Sequence, residues 1–147
     1  MKASIKLLTL AVAFCAGLLA VNAAEKIMGG PKGGRLLQNT EPHAEFVIDK
    51  DRSVTIHFYS HAMKPVAATT QLVTVIADTK DGKATLTFAK KGDSLTSTAK
   101  LPDGHGYNLI VRFRQSAEAK PQNFRFTLDL RTCGGCKLAE YACTCGH

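Results

Sequence analysis

The chain has 147 residues, of which 45% are hydrophobic and 21% charged, a size and balance that suit one domain with a real core. Its 19 basic and 12 acidic residues give a formal net charge of +7, and it has no tryptophan. With no Lys/Arg cluster and no aromatic interleaving, this mild basicity excludes a nucleic-acid footprint and fits weak attraction to anionic surfaces.

Residues 1–23 have the order of a secretory signal peptide. Lys2 and Lys6 supply positive charge, an apolar run follows from Leu7 to Val21, and Val21-Asn22-Ala23 places small residues at the recognition positions. The run is short for a membrane anchor. Cys15 follows Phe14 where lipid attachment would want a small residue. The expectation is therefore cleavage after Ala23 or Ala24, a periplasmic or secreted location, and no stable membrane insertion afterwards. Loss of Lys2 and Lys6 leaves 17 basic against 12 acidic residues.

Residues 24–43, punctuated by Gly29-Gly30-Pro31 and Gly33-Gly34, read as an irregular lead-in. Residues 44–131 read as a β-domain of about seven strands, at 44–49, 54–59, 71–77, 84–89, 95–99, 107–115 and 123–131. In the second, Val54, Ile56 and Phe58 alternate with Thr55, His57 and Tyr59, the period of a half-buried strand. Leu86 with Phe88, then Leu109, Val111 and Phe113, then Phe124, Phe126, Leu128 and Leu130 fall on single faces in the same way. Asp81-Gly82, Lys91-Gly92-Asp93 and Pro102-Asp103-Gly104 supply turns. Short strands at regular spacing predict an all-β fold, a single antiparallel sandwich of immunoglobulin-like form.

Residues 132–147 form a cysteine-rich knuckle. Cys133, Cys136, Cys143 and Cys145 are four of the five cysteines, and His147 follows. A hydrophobic core does not need sulfur at this density, whereas a soft or borderline metal ion wants several thiolates converging on one point. Gly134-Gly135 permits a tight turn between the first two cysteines. Residues 137–142 are good helix formers and suggest one or two helical turns. The expected ligands are Cys133, Cys136, Cys143 and Cys145 with His147 auxiliary, for Zn²⁺ or Cu(I). The alternative is two disulfides and no metal, since an oxidising compartment permits them. Pairs crossing from Cys133/Cys136 to Cys143/Cys145 would then be favoured, because a Cys143–Cys145 ring is strained.

His57, His61 and Met63, with His43 or His105, form a second candidate cluster, for which solvated surface side chains are the simpler reading. Arg112, Arg114, Arg125 and Arg131 read as a solvated outer face. No nucleophile elbow, paired-carboxylate signature or phosphate loop is present, so no enzyme is expected.

The segment Gly30-Pro31-Lys32-Gly33-Gly34-Arg35-Leu36-Leu37, then Ala44-Glu45-Phe46-Val47 and Met63-Lys64-Pro65-Val66, resembles the small N-terminal β-domain of periplasmic adaptor proteins in heavy-metal efflux systems of the resistance-nodulation-division type. The resemblance implies a periplasmic protein near metal handling, with a metal ion and an efflux or assembly protein as partners. The long helical hairpin of a full adaptor is missing, so a stand-alone exported accessory protein is expected. Where a histidine often precedes Gly-Pro in that pattern, this chain has Met28-Gly29.

Overall fold

The computed structural model describes residues 26–146. The expected leader at 1–23 and the auxiliary ligand His147 lie outside the described residues. Among the described residues there are nine strands: β1 (Arg35–Leu37), β2 (His43–Ile48), β3 (Val54–Tyr59), β4 (Pro65–Val66), β5 (Leu72–Thr79), β6 (Gly82–Lys91), β7 (Ser94–Ser97), β8 (Asn108–Arg114) and β9 (Gln122–Thr127). Among the described residues the only helical element is a 3₁₀ turn, Glu140–Ala142, and no helix is long and apolar enough to cross a membrane.

Each of the seven expected runs overlaps a strand, and the all-β, antiparallel character stands. Two short strands add to them. β1 lies in what reads as an irregular lead-in: three residues after Gly33-Gly34 carry no periodicity, and they become a strand by pairing with β2, Arg35 opposite Phe46 and Leu37 opposite Ala44. β4 is two residues long and pairs with the end of β3.

The strands do not separate into the two hydrogen-bonded layers that an immunoglobulin-like sandwich implies. They follow one path, β1-β2-β3-β7-β6-β5-β8-β9. The ten-residue β6 makes this possible. Its first part, Gly82–Thr87, pairs with β5, and Phe88–Lys91 pairs with β7. The sheet then curls until its ends face each other. Phe46 of β2 meets Phe126 of β9 edge to face at 5.3 Å. The Arg35 guanidinium of β1 lies 4.6 Å over the Phe126 ring, and the Gln122 side-chain amide donates to the Asn39 carbonyl at 3.0 Å. The result is a nearly closed, barrel-like sheet.

The alternating apolar residues fill its interior. Ala44, Phe46, Val54, Ile56, Val75, Ala77, Leu109, Val111 and Leu128 are completely shielded from solvent, joined by Phe58, Leu86 and Phe113. Burial of each Val, Leu, Ile or Phe side chain among them contributes about 1.5–3 kcal/mol relative to exposure. Tyr141 and Ala142 of the C-terminal segment belong to the same cluster, so the tail is packed on the barrel.

Candidate metal centre

The segment after β9 returns across the seam where β2 and β9 face each other. The Glu140 N–H donates to the Arg131 carbonyl at 2.9 Å and the Tyr141 N–H to the Asp129 carbonyl at 3.0 Å. Tyr141 then drives its ring inward, 6.2 Å from Phe46 and stacked on Phe126 at 6.3 Å. Its hydroxyl accepts the Ile48 N–H of β2 at 3.0 Å. These contacts set the position of Cys143, two residues on.

Cys133 and Cys136 stand on a knuckle closed by main-chain bonds. The Lys137 N–H donates to the Cys133 carbonyl at 3.1 Å, and the Cys133 N–H to the Leu138 carbonyl at 2.7 Å. Lys137 is in the left-handed region, φ 64°, a conformation an α-helix cannot continue through. The helix suggested for 137–142 is therefore reduced to the single 3₁₀ turn Glu140–Ala142. Lys137 Nζ bonds to the Gly134 carbonyl at 2.8 Å, which fastens the turn from outside.

The four sulfurs meet. Cys133 and Cys143 Sγ are 3.1 Å apart, Cys136 and Cys143 3.6 Å, and Cys133 and Cys145 3.7 Å. All four lie within 4.8 Å of one another. A tetrahedral metal with thiolate bonds near 2.3 Å requires edges of about 3.8 Å; two of these separations fall just below that value and the Cys133–Cys143 pair is closer. None of the four forms a disulfide; Cys133 and Cys143 are buried, Cys136 half-buried and Cys145 exposed. Gly135 is required by this closeness: a Cβ there would stand 2.8 Å from Cys145 Sγ.

Backbone donors surround the sulfurs. The Leu138 and then the Thr144 N–H groups hold the Cys136 thiol below its ordinary pKa. The Cys145 N–H reaches Cys143 Sγ at 3.4 Å and acts to lower its pKa, yet the Cys133 thiol, burial and the remaining thiols outweigh it and push Cys143 up to about 12. Hydrogen bonds with the Cys133 and Cys136 thiols raise Cys145. Crowded thiols cannot all ionise without a compensating charge, and a bound cation supplies one. This donor set fits a soft or borderline ion held by Cys133, Cys136, Cys143 and Cys145.

A second residue of consequence is Glu45. It is wholly buried, although β2 directs it outward from the core. Its carboxylate accepts the Lys32 N–H at 2.9 Å, the Gly34 N–H at 2.8 Å and the Tyr59 hydroxyl at 2.7 Å. The loop from Gly30 to Gly34 closes over it, and a Cβ at Gly30 would collide with its side chain. The other side of this loop meets the tail: a Cβ at Gly29 would stand 3.4 Å from Leu138 and Thr144. Glu45 thus fixes the loop against which the cysteine knuckle leans. The Gly-Gly spacing is its only signal in the sequence.

The remaining candidates are scattered. His57 is half-buried on β3 opposite Glu45; burial depresses its pKa against the opposing pull of Glu45. His105 is exposed in a turn. Arg112 and Arg125 are exposed on the β8–β9 hairpin, and Arg131 folds onto Asp129. His43 and His61 do come together, with Glu41 beside them. No protein-family model, curated protein or solved structure matches the chain.

Proposed function

We propose that this is an exported accessory protein that binds one soft or borderline metal ion, Zn²⁺ or Cu(I), through Cys133, Cys136, Cys143 and Cys145, and buffers it or hands it to an efflux or assembly protein. The observation that carries the reading is the convergence of four sulfurs, none in a disulfide and all within 4.8 Å, from two segments of the tail. Cys133 and Cys143 form a buried floor, while Cys145 is exposed. Exposed Cys145 is the ligand an incoming thiolate would replace first. The leader-like N-terminus supports export, and the resemblance to heavy-metal efflux adaptors supports the choice of partner. The role is binding rather than catalysis, with the barrel as the platform presenting the site.

The Cys133–Cys143 separation of 3.1 Å favours one competing reading, a disulfide-closed interaction module without metal. Replacing Cys133 and Cys136 together by Ser abolishes stoichiometric binding of Zn²⁺ under reducing conditions if the proposal holds. Cys145→Ser, at an exposed position, weakens binding without disturbing the barrel. Unchanged stoichiometry and affinity in both variants, measured by native mass spectrometry and competitive titration, would sink this site.

A further inference from the structure

We propose a second metal site, independent of the cysteine tail, formed by Glu41, His43 and His61 for a borderline divalent cation such as Zn²⁺, Cu²⁺ or Ni²⁺. The β2–β3 register creates it. His43, the first residue of β2, pairs with Tyr59, the last of β3. Glu41, two residues before His43, and His61, two residues after Tyr59, leave the ladder at this same end. His61 opens the turn after β3, in which the Met63 N–H donates to the Ser60 carbonyl at 2.8 Å and the Lys64 carbonyl accepts the Ser60 N–H at 2.8 Å. This turn brings His61 back over His43, with ring centroids 5.8 Å apart and planes inclined at 35°.

One nitrogen from each imidazole and one oxygen from Glu41 lie within 4.8 Å of one another. Ligands on a tetrahedral ion with bonds near 2.1 Å stand about 3.4 Å apart. Glu41 and His61 are exposed and His43 is half-buried, so rotamer changes can close the remaining gap. Among the described residues, none of the three side chains is engaged in a hydrogen bond or ion pair, so their donor atoms are unspent. Two imidazoles and a carboxylate select borderline divalent ions over Ca²⁺ or Mg²⁺, which take oxygen, and over Cu(I), which prefers sulfur. Three protein ligands leave a position for water or for a ligand from another molecule. The site is at the opposite end of β2 from Ile48, where Tyr141 anchors the cysteine tail, so the barrel carries two sites of different softness.

The test uses the full mature chain, reduced, loaded with one equivalent of Zn²⁺ and then titrated with more Zn²⁺ while the histidine imidazole resonances are followed by NMR. The second equivalent is expected to shift His43 and His61 and to leave His57 and His105 in place. His61→Ala and Glu41→Gln, both at exposed positions, should each weaken that second equivalent by about tenfold or more and leave the first unchanged. A second equivalent that moves other histidines instead, or that binds His61→Ala as tightly as the wild type, overturns the proposal. If the first equivalent already shifts His43 and His61, this site stands and the cysteine tail loses its claim to be the tighter one.

Discussion

Glu45 and the tyrosines around it show how single residues join a buried charge to the fold. A carboxylate removed from water costs several kcal/mol unless donors replace its hydration. Here two main-chain N–H groups and the Tyr59 hydroxyl do so. Alternation along β2 assigns Glu45 to the outward face, where solvent would be the ordinary surroundings. That it is covered depends on a loop whose glycines alone allow the approach, so its role was not legible from strand periodicity. The same interior shifts all three tyrosines upward. Burial is the leading cause in each, aided at Tyr59 by the bond to Glu45 and opposed at Tyr107 by Arg52 and at Tyr141 by the Ile48 N–H. Folded pKa values above the unfolded value of about 10 mean a contribution to stability fully present below pH ~10 and lost as pH rises through the folded values. Phenolate absorbance should therefore emerge above the ordinary tyrosine range, with stability to denaturant falling over the same interval. Ordinary titration of all three phenols at constant stability contradicts this.

Among the elements, the tail shows most clearly what local pattern can and cannot convey. The four cysteines were legible as a cluster because their spacing has no use in a core. The local conformation was not, since the helix-forming composition of 137–142 gives way to the left-handed turn at Lys137 and to the docking of Tyr141. That docking links two long-range elements, β2 through Ile48 and β9 through Phe126, which no short window reveals. β1 was hidden for a similar reason, being too short for a period and defined by its partner. Tyr141→Ala removes the buried ring and the acceptor for Ile48. It should lower stability by about 3–5 kcal/mol in denaturant unfolding and expose Cys133 and Cys143 to a thiol reagent before global unfolding. Slow thiol modification at wild-type rate in a normally folded variant would show that the knuckle holds itself in place without the barrel.

At the scale of the whole molecule, the inward faces of strands such as β3, β8 and β9 were readable from alternation, but the order of the strands was not. Hydrophobic period specifies which residues face a core, and is silent on whether β7 inserts between β3 and β6 or β5 lies beside β8. The difference between a two-layer sandwich and a single curled sheet lies in those pairings, and chiefly in the length of β6. The Gly30–Gly34 loop, Glu45 and the tail come together on the outside of the sheet, so the candidate centre depends on the fold even though its four ligands lie within thirteen residues. The central claim, that these four sulfurs bind one metal ion, is tested most directly by X-ray absorption at the metal edge of the reduced, full mature protein loaded with one equivalent of Zn²⁺. The account predicts four sulfur neighbours at about 2.3 Å and no nitrogen or oxygen in the first shell. A shell dominated by nitrogen and oxygen, or no retained metal, would contradict it.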